Sequence, residues 1–397
     1  MRRRPAPVFM PLALVAIGVG ATAGADEGRE VAAASTERYA LRAELGPELD
    51  TNAHRTELVN VAGTTNPPIV SSPLARAVLA ASLSDVVGAG HQVAMSATLA
   101  AKVFEKADAR DEDVGIAEST LLWRAPLGAS AALTLAGAYY EAFQREAAAP
   151  VYSYDRRDFR SLTPTLRLAA AVADHVELGV GGGYRLFVFK PDRSFDFQAP
   201  TATLDLRWAR ETADGAADWE ATVRAGYERR AFDGHPFVEP ASCSHQTCPP
   251  VSGDGARVDH FVTSSLDIAR TGRVLVGAGY ALHVNRSNSF GETVIRHFLT
   301  AHFAAALPLE LFVALRAELL FARYGDQVVV AEDTVGRTFV SIEDENRNSV
   351  RVDLSRNLGD RLQLIARYTF YSNELGAGDV TYRRQTALLS LAFTLEK

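Results

Sequence analysis

Across residues 93–103 every odd position is apolar, with Val93, Met95, Ala97, Leu99, Ala101 and Val103, while the even side includes Gln92, Ser96, Thr98 and Lys102. A period of two puts successive side chains on opposite faces of an extended chain, so the segment is a strand with one apolar face. The pattern returns at 201–208, where Ala202, Leu204, Leu206 and Trp208 alternate with Thr201, Thr203, Asp205 and Arg207. It returns near the end, where Ala387, Leu389, Leu391, Phe393 and Leu395 alternate with Arg384, Thr386, Ser390 and Thr394. About sixteen such segments, each of roughly ten to fifteen residues, follow one another, the length that a tilted membrane-crossing strand needs. They are expected at 37–48, 73–86, 91–105, 114–127, 129–144, 157–171, 174–189, 197–210, 217–232, 256–270, 272–286, 292–306, 308–323, 347–358, 360–372 and 381–395.

The connections alternate in length. Short ones at 87–90, 128–130, 173–174, 271–272, 307–308 and 359–360 carry the Gly, Asp, Ser and Pro of tight turns. Longer ones fall near 49–72, 106–113, 145–156, 190–196, 233–255, 324–346 and 373–380. A soluble sandwich would cover the apolar faces with a second sheet, but it uses shorter strands. Long strands, short turns at one end and long loops at the other imply an all-β fold, a single antiparallel transmembrane β-barrel over 37–397 with its short turns in the periplasm. An even strand count puts both termini on that side. Aromatics at Tyr139, Tyr140, Phe143, Phe187, Phe189, Trp208, Trp219, Tyr227, Phe370 and Tyr371 are expected to form the interfacial girdles.

The amino terminus agrees with this destination. Arg2, Arg3 and Arg4 precede an apolar run over 8–20, and Ala23, Gly24 and Ala25 supply small residues for cleavage, so 1–25 is expected to be a signal peptide and 26–36 a short periplasmic segment. After it no uninterrupted apolar stretch reaches the roughly 20 residues of a spanning helix. A net charge of -7 and a pI near 5.8 leave no basic surplus for nucleic acid. Cys243 and Cys248, flanking Ser244 to Thr247, are expected to form a local disulfide in an oxidising compartment; a zinc site with His245 would lack a fourth ligand.

With the apolar register outward, the other face is charged. Arg42, Arg124, Arg167, Arg185, Asp205, Arg207, Arg224, Glu228, Arg296, Arg316, Glu318, Arg351 and Arg367 are expected to line a pore, as part of an inner face on which basic residues slightly outnumber acidic ones. Unpaired ions in a dry core cost several kcal/mol each, so the lumen is either hydrated or laced by ion pairs. Sixteen strands leave room for an aqueous channel. The expected function is a channel for small polar solutes or an export conduit. The alternative is a closed structural or adhesive barrel acting through its long loops.

Catalytic and cofactor motifs are missing. There is no Gly-x-Ser-x-Gly elbow, His-Glu-x-x-His helix or phosphate loop, so no catalytic residue, cofactor or metal is nominated. Gly179, Gly181, Gly182 and Gly183 lie inside an alternating strand and read as room in the wall. Asp344, Asn346 and Asn348 have the opening spacing of a calcium loop without its glycine and distal glutamate. His283 and His302 face inward and His297 outward, which gathers no metal site.

The signal peptide, the alternating strands and the terminal strand at 385–395 resemble the outer-membrane β-barrel, porin-like class over essentially the whole mature chain. The segment Leu45-Gly46-Pro47-Glu48-Leu49-Asp50-Thr51-Asn52-Ala53 is similar to the first-strand Gly-x-x-x-Asp-x-Asn pattern of surface lipoprotein assembly modulators and polysaccharide-export porins. Between Asp26 and Glu37 there is no room for the periplasmic repeats of those proteins. The resemblance implies outer-membrane lipid as the surrounding partner and the barrel assembly machinery during biogenesis.

Overall fold

Sixteen long strands run in chain order: β1 (Arg38–Asp50), β2 (Ser72–Val87), β3 (His91–Phe104), β4 (Val114–Pro126), β5 (Ala131–Gln144), β6 (Phe159–Ala173), β7 (Val176–Phe189), β8 (Phe197–Glu211), β9 (Ala217–Phe232), β10 (Val258–Arg270), β11 (Val274–Ser287), β12 (Val294–Leu307), β13 (Leu311–Tyr324), β14 (Ser349–Asn357), β15 (Leu362–Leu375) and β16 (Val380–Glu396). The computed structural model describes residues 38–54, 58–59, 68–88, 90–144, 158–190, 192–211, 217–238, 251–325, 348–375 and 380–396. The expected signal peptide lies outside them.

Each strand pairs antiparallel with its sequence neighbours, and β1 pairs with β16, with Leu41 opposite Leu395 and Leu49 opposite Ala387, so the sheet closes on itself. Closure removes the free edges that an open sheet would leave unpaired in hydrocarbon. The odd residues of β1, among them Leu41, Leu45 and Leu49, point outward and are exposed, as are Leu99, Leu166, Leu206, Leu319 and Leu391 on other strands. Exposed leucines all round a closed barrel, with charged residues on the opposite parity, make its outer surface a lipid-facing one. The chain therefore has the architecture of an outer-membrane β-barrel.

The observed strands match the sixteen expected segments to within a few residues at either end. The six expected turns all fall at one end of the barrel, and both β1 and β16 have their outer termini at that end. Turn chemistry shows in the backbone: Gly88, Gly90 and Gly128 take positive φ, and so do Leu309 and Glu310 in the β12–β13 turn. At the other end the loops are ordered in part. A short 3-10 helix, Ala107–Glu112, follows β3, another, Arg193–Phe195, follows β7, and a two-stranded ribbon pairs Phe237–Val238 with Val251–Ser252.

Two expectations change. Tyr140, Phe187, Phe189 and Tyr371 do not belong to a girdle: Phe187, Phe189 and Tyr371 are buried inside, and Tyr140 stacks on interior Phe159. The parity of their strands decides it, since they share the face that carries Glu177, Arg185 and Arg367. Phe143, Trp208 and Tyr227 do face outward. The first strand also ends two residues later than expected, so Asp50 joins Glu44 and Glu48 on the inner wall; all three are buried, and Glu48 and Asp50 reduce the basic surplus there.

Candidate functional site

The inner wall is built by the polar parity of every strand, and its ions pair both across strands and along them. Arg167 on β6 reaches over β7 to Asp205 on β8, at 2.5 Å, and also to Glu177 at 2.9 Å. That reach explains one glycine. Gly179 lies opposite Asp205, and a Cβ there would come within 2.4 Å of the Arg167 guanidinium, so the strand between the partners must carry hydrogen. Arg207 meets Glu220 at 3.1 Å, Arg316 meets Glu318 at 2.6 Å, and Arg351 and Arg367 share Asp353 at 2.7 and 2.5 Å. Arg42 lies 3.6 Å from Glu44, and Arg124 4.0 Å from Glu177. Arg224 is half-buried on the same face.

Exposure along this wall is graded. Towards the short turns Arg124 and Arg207 keep 37% and 38% of their side-chain surface open, and Ser96, Thr120 and Asp267 are also exposed. Towards the long loops the wall is packed. On one side Asp50 holds Arg384, and Glu48 takes Lys102 at 3.0 Å and Arg76 at 3.5 Å. On the other side Arg185 and Arg230 share Glu228, while Arg257 joins Asp259 and Glu292 at 2.8 and 3.1 Å. Rings fill the space between these ions. Tyr140, Phe159, Phe187, Phe197 and Phe232 pack in sequence from β5 to β9 with centroids 4.8 to 5.3 Å apart. Phe261, His283 and Phe298 continue the row on β10, β11 and β12.

The thirteen residues expected to line a pore share the polar parity of their strands, but their exposure differs and they do not form one open ring. Arg185, Asp205, Glu228 and Arg296 are buried, whereas Arg207 and Arg124 remain accessible. Residues that sequence reasoning passed over include Arg257, Glu292 and Asn285, although the expected strands 256–270, 292–306 and 272–286 contain them; Arg257 and Glu292 fall just outside the observed strands. The segment similar to export barrels has a local structural task. Asp50 accepts from Arg384 Nε and Nη2, the Asn52 backbone N–H donates to Asp50, and Asn52 Nδ2 donates to the Arg383 carbonyl, so the first strand is fastened to the last. Gly46 sits so near Leu389 and Ser390 that a Cβ would fall 2.1 Å from a carbonyl oxygen. Cys243, Cys248 and His245 lie outside the described residues, as do Asp344 to Asn346. Among the described residues His283, His297 and His302 form no group with other metal-ligating side chains.

No protein-family model matches the chain, and no curated protein matches it. Solved structures do. OmpT of Vibrio cholerae, expressed in the outer membrane, is 10% identical and superposes with a TM-score of 0.44, covering 92% of this chain and 100% of its own. OprB of Pseudomonas putida is 10% identical, TM-score 0.45, covering 90% and 94%. A deletion mutant of TodX, a monoaromatic hydrocarbon channel, is 7% identical, TM-score 0.40, covering 91% and 90%. At this identity the likeness is one of architecture, and the chemistry of the inner wall is this chain's own.

Proposed function

We propose that the protein is an outer-membrane channel that passes small polar solutes. The observation that carries this reading is the half of the inner wall nearest the short turns, where Arg124, Arg207, Ser96 and Asp267 are open to solvent within a closed barrel. A wall of accessible ions belongs to water, because a dry interior would cost several kcal/mol for each imperfectly paired charge. Sixteen strands leave enough width for that water. The packed end defines the constriction, between the Asp50–Arg384 side and the phenylalanine row. Paired ions give this lumen a weak field, and any preference for anions fades as salt rises, since the Debye length is about 8 Å at physiological ionic strength. The export reading has only residues 45–53 behind it, and those residues are occupied in closing the barrel.

The test is single-channel recording of the refolded protein in planar bilayers. Stepwise conductance is expected, with a reversal potential that moves towards cations when Arg207 and Arg224 are both replaced by Glu. Conductance with unchanged ion preference would remove these arginines from the conduction path. The same packed end favours a second reading, a closed barrel working through its long loops, and a folded protein that never conducts would establish it.

A further inference from the structure

At the long-loop end, the outward faces of β9, β10 and β11 carry positive charge. Arg229 on β9 is the ladder partner of His260 on β10, and His260 is the ladder partner of Arg286 on β11, so the three stand in one row across adjacent strands. All three are exposed, on the same parity as outward Tyr227 and Val262. Side chains directly opposite in a sheet have Cβ atoms about 5 Å apart, so two long arginines can converge over the ring between them. Among the described residues neither Arg229 nor Arg286 has an ion pair or a hydrogen bond, and the hydrogen bond of His260 joins its Nδ1 to the Tyr227 hydroxyl at 2.8 Å. No acidic residue shares the outward face of these strands in their long-loop halves. Asp233 and Asp254, exposed in the connection beyond, pair with neither arginine.

The row stands at headgroup depth. Arg229 lies six residues along β9 from Val223, which is opposite Leu206 in the lipid-facing band. At about 3.3 Å per residue and a tilt of about 40°, that is roughly 15 Å along the membrane normal, just past the half-height of an apolar band about 25 Å tall. Below the row Val223, Val262 and Leu266 are exposed and apolar. An occupant with negative charge above and hydrocarbon beneath matches both surfaces. Two outward cations elsewhere at this end already have a carboxylate: Lys190 Nζ lies 2.6 Å from Glu141 Oε1, and Arg160 is the ladder partner of Glu141.

We propose that Arg229, His260 and Arg286 form a site for the phosphate monoester of a glycolipid headgroup in the outer leaflet, whose acyl chains lie on Val262 and Leu266. Each guanidinium offers a fork of N–H donors to phosphate oxygens. With Tyr227 donating to Nδ1, the His260 proton sits on Nε2 and supplies a third donor. A phosphate monoester carries about -1.5 to -2 charge at neutral pH, which balances two guanidiniums. A zwitterionic headgroup brings its own cation and balances neither. The site uses the outer wall alone, so it does not depend on whether the barrel conducts.

The probe is diphosphoryl lipid A, titrated at constant ionic strength into the refolded barrel in non-ionic detergent, with the same lipid stripped of its phosphates as the control. Native mass spectrometry reads the lipid-bound fraction. A saturable first adduct is expected, with the dephosphorylated lipid at least tenfold weaker. Arg229→Gln/Arg286→Gln should weaken the adduct about tenfold. Arg160→Gln/Lys190→Gln removes as much outward charge at the same end and should change it less than about twofold. All four side chains are exposed, and resistance of the unheated protein to unfolding in dodecyl sulfate checks that both variants still close. Equal affinity for the two lipids, or equal losses in the two double variants, would overturn the site. Displacement of the lipid by inorganic phosphate at equal concentration would overturn its assignment to a lipid.

Discussion

The seam between β1 and β16 offers the sharpest quantitative test. Asp50 is fully buried and Arg384 is 1% exposed, with Arg384 Nε 3.0 Å and Nη2 2.5 Å from the carboxylate. Replacing Asp50 by Ala leaves a guanidinium buried without its counter-charge, which costs about 3–5 kcal/mol. The same change orphans the Asn52 N–H, 3.0 Å from Oδ1, and places the total towards the upper part of that range. Against a typical stability of about 5–15 kcal/mol this is a large fraction. Arg384→Met in the same chain removes the stranded charge, so Asp50→Ala/Arg384→Met should recover about half of the loss or more. Arg207→Ala is the control: its pair with Glu220 keeps 38% and 24% of the two side chains open, and such pairs contribute about 0–1 kcal/mol. Urea unfolding of the protein in lipid vesicles, followed by the fluorescence of its three tryptophans, measures all four. A cost below about 1 kcal/mol for Asp50→Ala, or a double variant as unstable as the two losses added, would refute a buried ionic closure of the seam.

Three further outcomes follow from the same geometry. Leu206 and Leu391 face outward with 43% and 47% exposure, so Arg at either should cost about 2–4 kcal/mol near the bilayer midplane, while Arg at inward Thr203 should cost far less; equal costs in vesicle refolding would mean the register is wrong. With Cys243 and Cys248 replaced by Ser, a cysteine at exposed Asp108 should react with an impermeant thiol reagent on whole cells and one at Gly359 should not, and reversed labelling would invert the topology. In the long-loop layer the His54 ring nitrogen sits 3.4 Å from Glu112 Oε1, and this hydrogen bond, with the charges of Glu112 and Asp111, outweighs burial to raise the His54 pKa above its ordinary 6.5. A raised folded pKa stabilises fully below the unfolded value and is lost as pH rises through the folded one. Protection factors of amides around 107–112, which correct for base-catalysed intrinsic exchange, should therefore be higher at pH 5.5 than at pH 8, and Glu112→Gln should remove most of that difference.

The alternation of apolar and polar residues was sufficient for the barrel because side-chain parity in a strand is local: each residue's face follows from its neighbours two positions away. Strand count, the two kinds of connection and the inward placement of Arg207, Arg224 and Arg351 were all legible on that basis. Aromatic type misled where parity did not, since Phe187 and Tyr371 looked like girdle residues and lie inside. What parity cannot tell is which inward residues meet. The reach of Arg167 over Gly179 to Asp205 spans 38 positions, and the Asp50–Arg384 pair spans 334, distances fixed only by strand stagger and closure. Burial is likewise a property of the assembled wall. Arg230 and Arg207 are equivalent in sequence terms, both inward on long strands, yet one is 1% exposed among phenylalanines and the other faces water, because packing at the long-loop end depends on residues from several strands and their loops together.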